Sequence, residues 1–586
     1  MILHRKIKAV LGIIGACVVL TSCNGLDMKE KENTEYVNLL DYFNINQVGE
    51  NAGAAVIIDG YIRGNGIVKD GGYYIPYEYV REYMDDHYYW DNTENILTYA
   101  NSKQVYDVVK GASDYTVDGE KKEHDKQIVI SVDDTAYIDK DFVLLMNGAM
   151  DIKIYEEPHR IVVTTEEKVN VADIKEDTRL RTEEGLEYPI VADVKKGDVV
   201  WIISEFNGWM TVKTENGLVG CVESSKLKEG YDKAIELDSS WMEIQPYTYI
   251  SHDYTLCIGW HQMEYEGGND SLGSMISKAD SLNVISPTWF KITDEFGTIS
   301  SLASKEYVKQ AHNKGLEVWG LISDFNSDEE GNYYINSVVT VTSSRRKLID
   351  NIIKEATECG MDGINIDFEK IRLFAAEGYV QFMRELAIEC EKVGLVLSAD
   401  MYVPTESNSY YDRQSIGEVA DYLIIMGYDE HWAGCGKAGS VASLPYVKQG
   451  IIDTLSEVPA SRVINAIPFY TRIWYEDTLE NAPEGSIIVE DKINGDYALS
   501  SVAKGMGSAK KMLNDNNANI RWLDDIGQYY GEYYADNRLV RIWLEDKKSL
   551  DAKLCVMKEN ELAGVACWKL GLESDEAWDA IKEYMK

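Results

Sequence analysis

The sequence predicts a multidomain protein. Its C-terminal part is a (β/α)8 barrel with an α+β insertion, preceded by a small all-β barrel and an N-terminal α+β unit. Three observations carry this reading. From about 245 to the end, short apolar strands alternate with amphipathic helices. Between about 172 and 230, short strands are separated by turn signals. Between about 51 and 168, a strand–helix–hairpin pattern occurs twice.

The barrel reading rests on candidate strands at 256–260, 283–287, 316–322, 362–369, 395–401, 421–427, 463–468 and 563–569. Helical runs such as 301–314, 344–360 and 373–393 lie between them, with apolar residues near a 3.6 spacing (Ile349, Ile352, Ile353, Ala356). Several stop at a glycine, Gly315, Gly360 or Gly394, as helices do when the chain must turn left-handed. Eight such units in about 340 residues fit a closed parallel barrel. The span 473–545 is too long for one connection and holds its own strands at 528–534 and 538–544. It is expected to be an inserted subdomain near the mouth.

The N-terminus sets a compartment. His4, Arg5, Lys6 and Lys8 precede an apolar run from Ala9 to Leu20, followed by Leu20-Thr21-Ser22-Cys23. A basic region, a short apolar region and small residues at the cut describe a signal peptide over 1–23. The run is too short to span a bilayer comfortably. Residues 24–50 are polar, lack a sustained period and read as a tether.

Acidic residues number 99 against 58 basic, for a formal net charge of −41. That excess disfavours nucleic acid and anionic lipid surfaces and suits a neutral polymer. The cysteines after Cys23 (Cys221, Cys257, Cys359, Cys390, Cys435, Cys555, Cys567) form no Cys-x-x-Cys pair, and the 8 histidines show no ligand spacing. No metal site or cofactor is expected.

Residues 362–369 read Asp-Gly-Ile-Asn-Ile-Asp-Phe-Glu. In a strand, Ile364, Ile366 and Phe368 share one face, and Asn365, Asp367 and Glu369 the other. Burying a row of an amide and two carboxylates costs several kcal/mol unless partners or a substrate offset it. Catalytic groups of such barrels sit at the carboxyl ends of strands. Glu369 is therefore placed at the mouth, with Asp367 one pleat below, roughly 6.5 Å along the backbone. Two adjoining carboxylates should push one pKa upward, which suits Glu369 as a general acid. Strand six ends Met426-Gly427-Tyr428-Asp429. Aromatic rings recur at strand ends (Trp260, Trp289, Trp319, Tyr402, Tyr428, Tyr470, Trp568), as a sugar-stacking mouth would require.

The Asp-x-x-Asn-x-Asp-x-Glu run, with Met426-Gly427-Tyr428-Asp429, Ile467-Pro468-Phe469-Tyr470, Arg472 and Trp568, resembles glycoside hydrolase family 18 over about 245–586. That resemblance implies substrate-assisted catalysis rather than the usual two-carboxylate scheme. It implies that Glu369 protonates the glycosidic oxygen, Asp367 orients the substrate's acetamido group, Tyr428 donates to it, and Trp568 forms the floor under the sugar. Asn365, Met426, Asp429, Tyr470, Arg472 and Trp289 are expected to complete the substrate site. The family's second aspartate is here Asn365, which can hydrogen-bond Asp367 but cannot store a proton. The branch with this variant contains spore-cortex and peptidoglycan N-acetylglucosaminidases. Asp362, off the inward parity, is expected to be structural.

Three further resemblances concern the rest of the chain. Leu20-Thr21-Ser22-Cys23 resembles a bacterial lipobox, which implies lipidation at Cys23 and tethering to the outer face of the cytoplasmic membrane. Asn207-Gly208-Trp209 and Gly217-Leu218-Val219-Gly220-Cys221-Val222 resemble a bacterial Src-homology-3-like domain (172–230), whose usual partner is cell-wall peptide. Tyr74-Ile75-Pro76 and Tyr89-Trp90-Asp91 resemble the stalk domain named after the copper amine oxidase N-terminus (51–168), read here as a spacer without copper. The expected substrate is an N-acetylglucosamine-containing polysaccharide, peptidoglycan first and a chitin-like oligosaccharide second. The rival is a glycan-binding protein without turnover, which the presence of Glu369 disfavours.

Overall fold

The computed structural model describes residues 32–235, 245–492 and 495–586. The expected signal peptide and Cys23 lie outside them. The described residues form two compact units, one from 32–46, 55–64 and 153–235, the other from 47–54, 65–152, 245–492 and 495–586.

In the larger unit, eight parallel strands close on themselves: β1 (Leu256–His261), β2 (Val284–Pro287), β3 (Glu317–Ser323), β4 (Gly363–Asp367), β5 (Val396–Tyr402), β6 (Tyr422–Met426), β7 (Val463–Pro468) and β8 (Gly564–Trp568). Each pairs in parallel with its successor, and β8 pairs with β1. The predicted (β/α)8 barrel is therefore present. Ile364, Ile366 and Phe368 pack outward in the layer between strands and helices. Leu321, Ile424 and Ile464 fill the interior with Trp260 and Trp319. Helices Thr342–Cys359 and Ala376–Val393 end on Gly360 (φ 74°) and Gly394 (φ 73°). A side chain would strain both positions.

Beyond β7 the chain leaves the barrel into an antiparallel sheet of six strands, Tyr470–Asp477, Ile487–Val489, Tyr497–Gly505, Asn519–Leu523, Gln528–Ala535 and Arg538–Leu544. Helix Met506–Asp515 packs on it through Ala509 and Leu513. The expected insertion is an α+β element, beginning a few residues before 473.

Strand Gly72–Pro76 leads into helix Tyr77–Tyr83, then strands Tyr88–Asp91 and Ile96–Ala100. Strand Thr135–Asp139 leads into helix Lys140–Met146, then strands Asp151–Glu156 and His159–Thr164. Tyr74–Pro76 and Tyr137–Ile138 are thus strand residues, and the helices begin just after them. The region is not a free spacer, because part of it packs on the barrel's helices. Helix Thr342–Cys359 has no N-cap side chain of its own. Its first N–H groups donate instead to Asp91 (2.7 Å) and Glu94 (2.9 Å). Carboxylates at a helix N-terminus satisfy orphan donors and meet the positive end of the dipole. Arg384 donates to the Asp86 carbonyl oxygen (2.7 Å), and the Tyr89 hydroxyl to that of Thr340 (2.9 Å).

The smaller unit carries an antiparallel sheet in the order 190–194, 178–181, 219–223, 209–214, 199–206, 168–173, 231–234. Leu180, Val191, Val200, Val212 and Val222 form its core. Trp209 is half-buried at a hairpin end, opposite the exposed Phe206. Residues 32–46 are not a tether. Phe43 is 1% exposed and packs with Ile57, Val162 and Leu218. Tyr36 bridges Ile190. Five apolar residues in this stretch (Val37, Leu39, Tyr42, Phe43, Ile45) dock it, too few to show a period.

Candidate active site

Strand β4 delivers its polar side chains into the barrel, as its alternation requires. It ends at Asp367, two residues earlier than the sequence implied. The N–H groups of Glu369 and Lys370 find no strand partner. Both donate to the Asp324 carboxylate, at 3.0 and 2.7 Å. Asp324, just beyond β3, thereby fixes the backbone that presents Glu369. Glu369 Oε2 also accepts from the Tyr402 hydroxyl at 2.6 Å.

A cavity of about 180 Å³ opens here, lined by Trp260, Asp367, Glu369, Asp400, Tyr402, Met426, Tyr428, Asp429 and Trp568. A larger recess of about 260 Å³, bounded by Tyr77, Tyr89, Trp90 and Phe374, holds none of these acids. The chemistry belongs to the smaller one.

The cavity's electrostatics are those of crowded acids. Burial pushes the Asp367 carboxyl well above the ordinary value, and Glu369, Asp400 and Asp324 push it further. Its Oδ1 is buried without a hydrogen-bond partner. Asp400 is also driven well up by burial, against the Asn365 amide that donates to it. Burial raises Asp324 to about 7, although the two N–H bonds oppose this. The upward push expected from two stacked acids thus falls on Asp367. The Tyr428 phenol is held well above its usual value by burial, with Asp400, Tyr470 and Asp367 adding to it. It keeps its proton at neutral pH and can donate it to a hydrogen bond.

Asn365 does not bond Asp367. Its amide nitrogen donates to Asp400 Oδ1 (2.8 Å) and Ser398 Oγ (3.1 Å). Its oxygen accepts from Trp260 Nε1 (2.8 Å) and Ser286 Oγ (3.2 Å). The amide therefore spans four strands beneath the cavity. Asp362 sits at the other end of β4, where it accepts from the Val318 N–H (2.8 Å) and meets His312 (2.8 Å).

The outer residues divide. Met426, Tyr428, Asp429 and Trp568 line the cavity. Tyr470 stands behind, its hydroxyl donating to Asp429 Oδ1 (2.6 Å). Arg472 lies on the first insertion strand, donates to Ser501 (3.2 Å) and is not part of the lining. Trp289 is a correction. It follows β2, is 1% exposed in the outer core, and bonds Asn269 (2.9 Å) while packing edge-on against Tyr307. Trp319 is likewise remote, stacked on Tyr422 and bonded to Glu317 at the start of β3. A ring near a strand's end reaches the mouth only when its parity and level both point there.

Sequence reasoning missed Asp400 and Asp324. The alternation Leu397-Ser398-Ala399-Asp400-Met401 repeats the polar parity of β4 and could have revealed the first. Among the described residues, one trio could approach a metal, Asp85, Asp86 and His87. It lies apart from the cavity lining, and its groups are engaged with one another, Tyr99 and Arg384.

Comparison with known proteins gives the family. The family model described as Glycosyl hydrolases family 18 matches residues 267–573, just over half of the chain. The "Uncharacterized glycosylase YvbX" of Bacillus subtilis is 26% identical over 333 residues, 55% of this chain and 90% of that protein. The "Cortical fragment-lytic enzyme" of the same organism is 28% identical over 259 residues, 43% of this chain and 55% of that protein. The chain thus spans little more than half the length of that relative. The crystal structure of the Bacillus cereus spore cortex-lytic enzyme SleL covers 60% of this chain and 79% of its own, at 20% identity and a TM-score of 0.48. With a closed parallel barrel that presents Glu369 and Asp367 at one cavity, the chain belongs to glycosyl hydrolases family 18.

Proposed function

We propose that this protein hydrolyses the β-1,4 bond that follows an N-acetylglucosamine in peptidoglycan or its fragments, with retention of configuration. The observation that carries the reading is the cavity in which Glu369, Asp367 and Tyr428 converge beside Trp568. Tyr402 occupies Glu369 Oε2, so the proton for the leaving oxygen belongs on Oε1. Glu369 donates it to the glycosidic oxygen as the bond breaks. The substrate's acetamido oxygen attacks the anomeric carbon and forms an oxazolinium ion. Asp367, whose Oδ1 has no protein partner, accepts the acetamido N–H and balances the positive charge. The Tyr428 hydroxyl donates to the acetamido oxygen. Glu369 then takes a proton from the water that opens the ring.

The preference for peptidoglycan leans on the cortical fragment-lytic relatives. A chitin-like oligosaccharide is the second reading, favoured by matches to a "Class V chitinase" of Arabidopsis thaliana and a mouse "Di-N-acetylchitobiase". Lipid anchoring at Cys23 and a wall-binding role for the 172–230 region complete the proposal. The first rests on Leu20-Thr21-Ser22-Cys23, and the second on the Asn207-Gly208-Trp209 hairpin with its exposed Phe206.

The test digests purified peptidoglycan and chitin oligomers side by side, with mass analysis of the new reducing ends. Glu369→Gln should bind the sugar and lose at least ~100-fold in rate. Unchanged hydrolysis by that variant contradicts the mechanism.

A further inference from the structure

Position 365 holds an amide where the family pattern has a second acid, yet the cavity does not lack a second carboxyl. In the β4–β5 register Asn365 pairs with Ser398 and Ile366 with Ala399. One step further, Asp367 on β4 stands opposite Asp400 on β5, on strands about 4.8 Å apart. Both are buried, at 8% and 3% exposure, and both line the cavity. Asn365 donates to Asp400 Oδ1, so that carboxyl is held against the strand pair by the residue that replaces the missing acid. An aspartate at 365 would set two acceptors face to face there.

We propose that Asp400 takes the place of the acid absent at position 365, and that Asp367 and Asp400 hold one proton between them beneath the acetamido group. The inference rests on the reaction proposed above. The proton stays within the pair, on Asp400, so that Asp367 is the single anion facing the substrate. No bond to substrate is made or broken by Asp400, which acts as a positioning residue. Two like charges this close do not both ionise readily. The groups that face the pair are Glu369, Asp324, Tyr379, Tyr402 and Tyr428, with Lys370 as the opposing cation. The Lys370 ammonium lies over the Phe325 ring (4.8 Å). The upward push on both aspartates agrees with a shared proton, and the unpartnered Asp367 Oδ1 stays open to the substrate.

The test compares wild type, Asp400→Asn, Asn365→Asp and the double variant, measuring kcat/KM against pH on an N-acetylglucosamine oligomer. A neighbouring acid raises the pKa of those that remain, so removing Asp400 should move the alkaline limb down by about one pH unit. Asn365→Asp alone should move it up, and the double variant should return it towards wild type. Asparagine keeps an acceptor oxygen, so a merely structural Asp400 predicts no shift. A profile for Asp400→Asn that superimposes on wild type, or a double variant without rescue, overturns the proposal. If Asp400→Asn does not fold, Asn365→Asp decides by its upward shift or its absence.

A second readout needs no turnover. Carboxyls with a raised folded-state pKa bind more protons folded than unfolded, so stability falls as pH rises through them. The drop in Tm from about pH 5 to about pH 8 should be smaller in Asp400→Asn and larger in Asn365→Asp. An equal drop in all variants overturns the pair. Failure of the proposed reaction itself appears differently, as absent turnover by wild type or full activity of Glu369→Gln, and leaves this readout to decide.

Discussion

Glu385 and Asp367 are both buried carboxyls of the larger unit, 3% and 8% exposed, and their surroundings are opposite. Glu385 lies on helix Ala376–Val393, where Oε1 accepts from Arg345 Nη2 (2.9 Å) and Gln381 (2.9 Å), while Arg346 approaches Oε2 (3.6 Å). Burial alone would raise its pKa, but the two guanidinium groups hold it below the ordinary value. Asp367 has three acids for neighbours and an oxygen with no partner, and its pKa goes the other way. An ion pair saturated by the protein ties helix to helix. A carboxyl left unsatisfied keeps its bonding capacity for a substrate.

The same acid-to-amide change should therefore have opposite consequences at the two places. Glu385→Gln leaves Arg345, fully buried, without its counter-charge, and should cost about 3–5 kcal/mol of stability in chemical denaturation. The protein that remains folded should turn over at the wild-type rate. Asp367→Asn should lose ~10²–10³ in kcat, the scale of one preorganised electrostatic group, with stability unchanged or higher. Equal stability losses in the two variants would break the comparison.

Their pH dependences should differ in sign as well. Glu385, with a lowered pKa, contributes stability that is present above its unfolded value and lost as pH falls through the folded one. Asp324, raised to about 7, contributes stability that is present below its unfolded value and lost as pH rises towards 7. Wild-type Tm should thus decline on both sides of a maximum. Glu385→Gln should flatten the acid side alone.

The two regions also differ in how far the sequence revealed them. The alternation in 362–369 gave the facing of β4, because parity is a local property of a strand. Ile364, Ile366 and Phe368 face the helices, and Asn365 and Asp367 face the interior. The glycine stops at 360 and 394 were legible for the same reason. Asp324 and Asp400 reach Glu369 and Asn365 across 45 and 35 residues of chain, through the register of adjacent strands. No single-strand pattern states that register. Trp289 failed in the converse way, since being near a strand end does not fix which layer a ring enters. The docking of Asp91 and Glu94 on helix Thr342–Cys359 was out of reach too, because a helix without its own cap gives no hint of which distant carboxylates supply one.

In the proposed reaction the substrate's acetamido group, gripped by Asp367 and Tyr428, supplies the nucleophile. The direct measurement compares the hydrolysis of an N-acetylglucosamine oligomer with that of the same oligomer after de-N-acetylation, at equal concentration. The first should be turned over and the second at least ~10³-fold more slowly, since an intramolecular nucleophile is removed. Comparable rates on the two would contradict it.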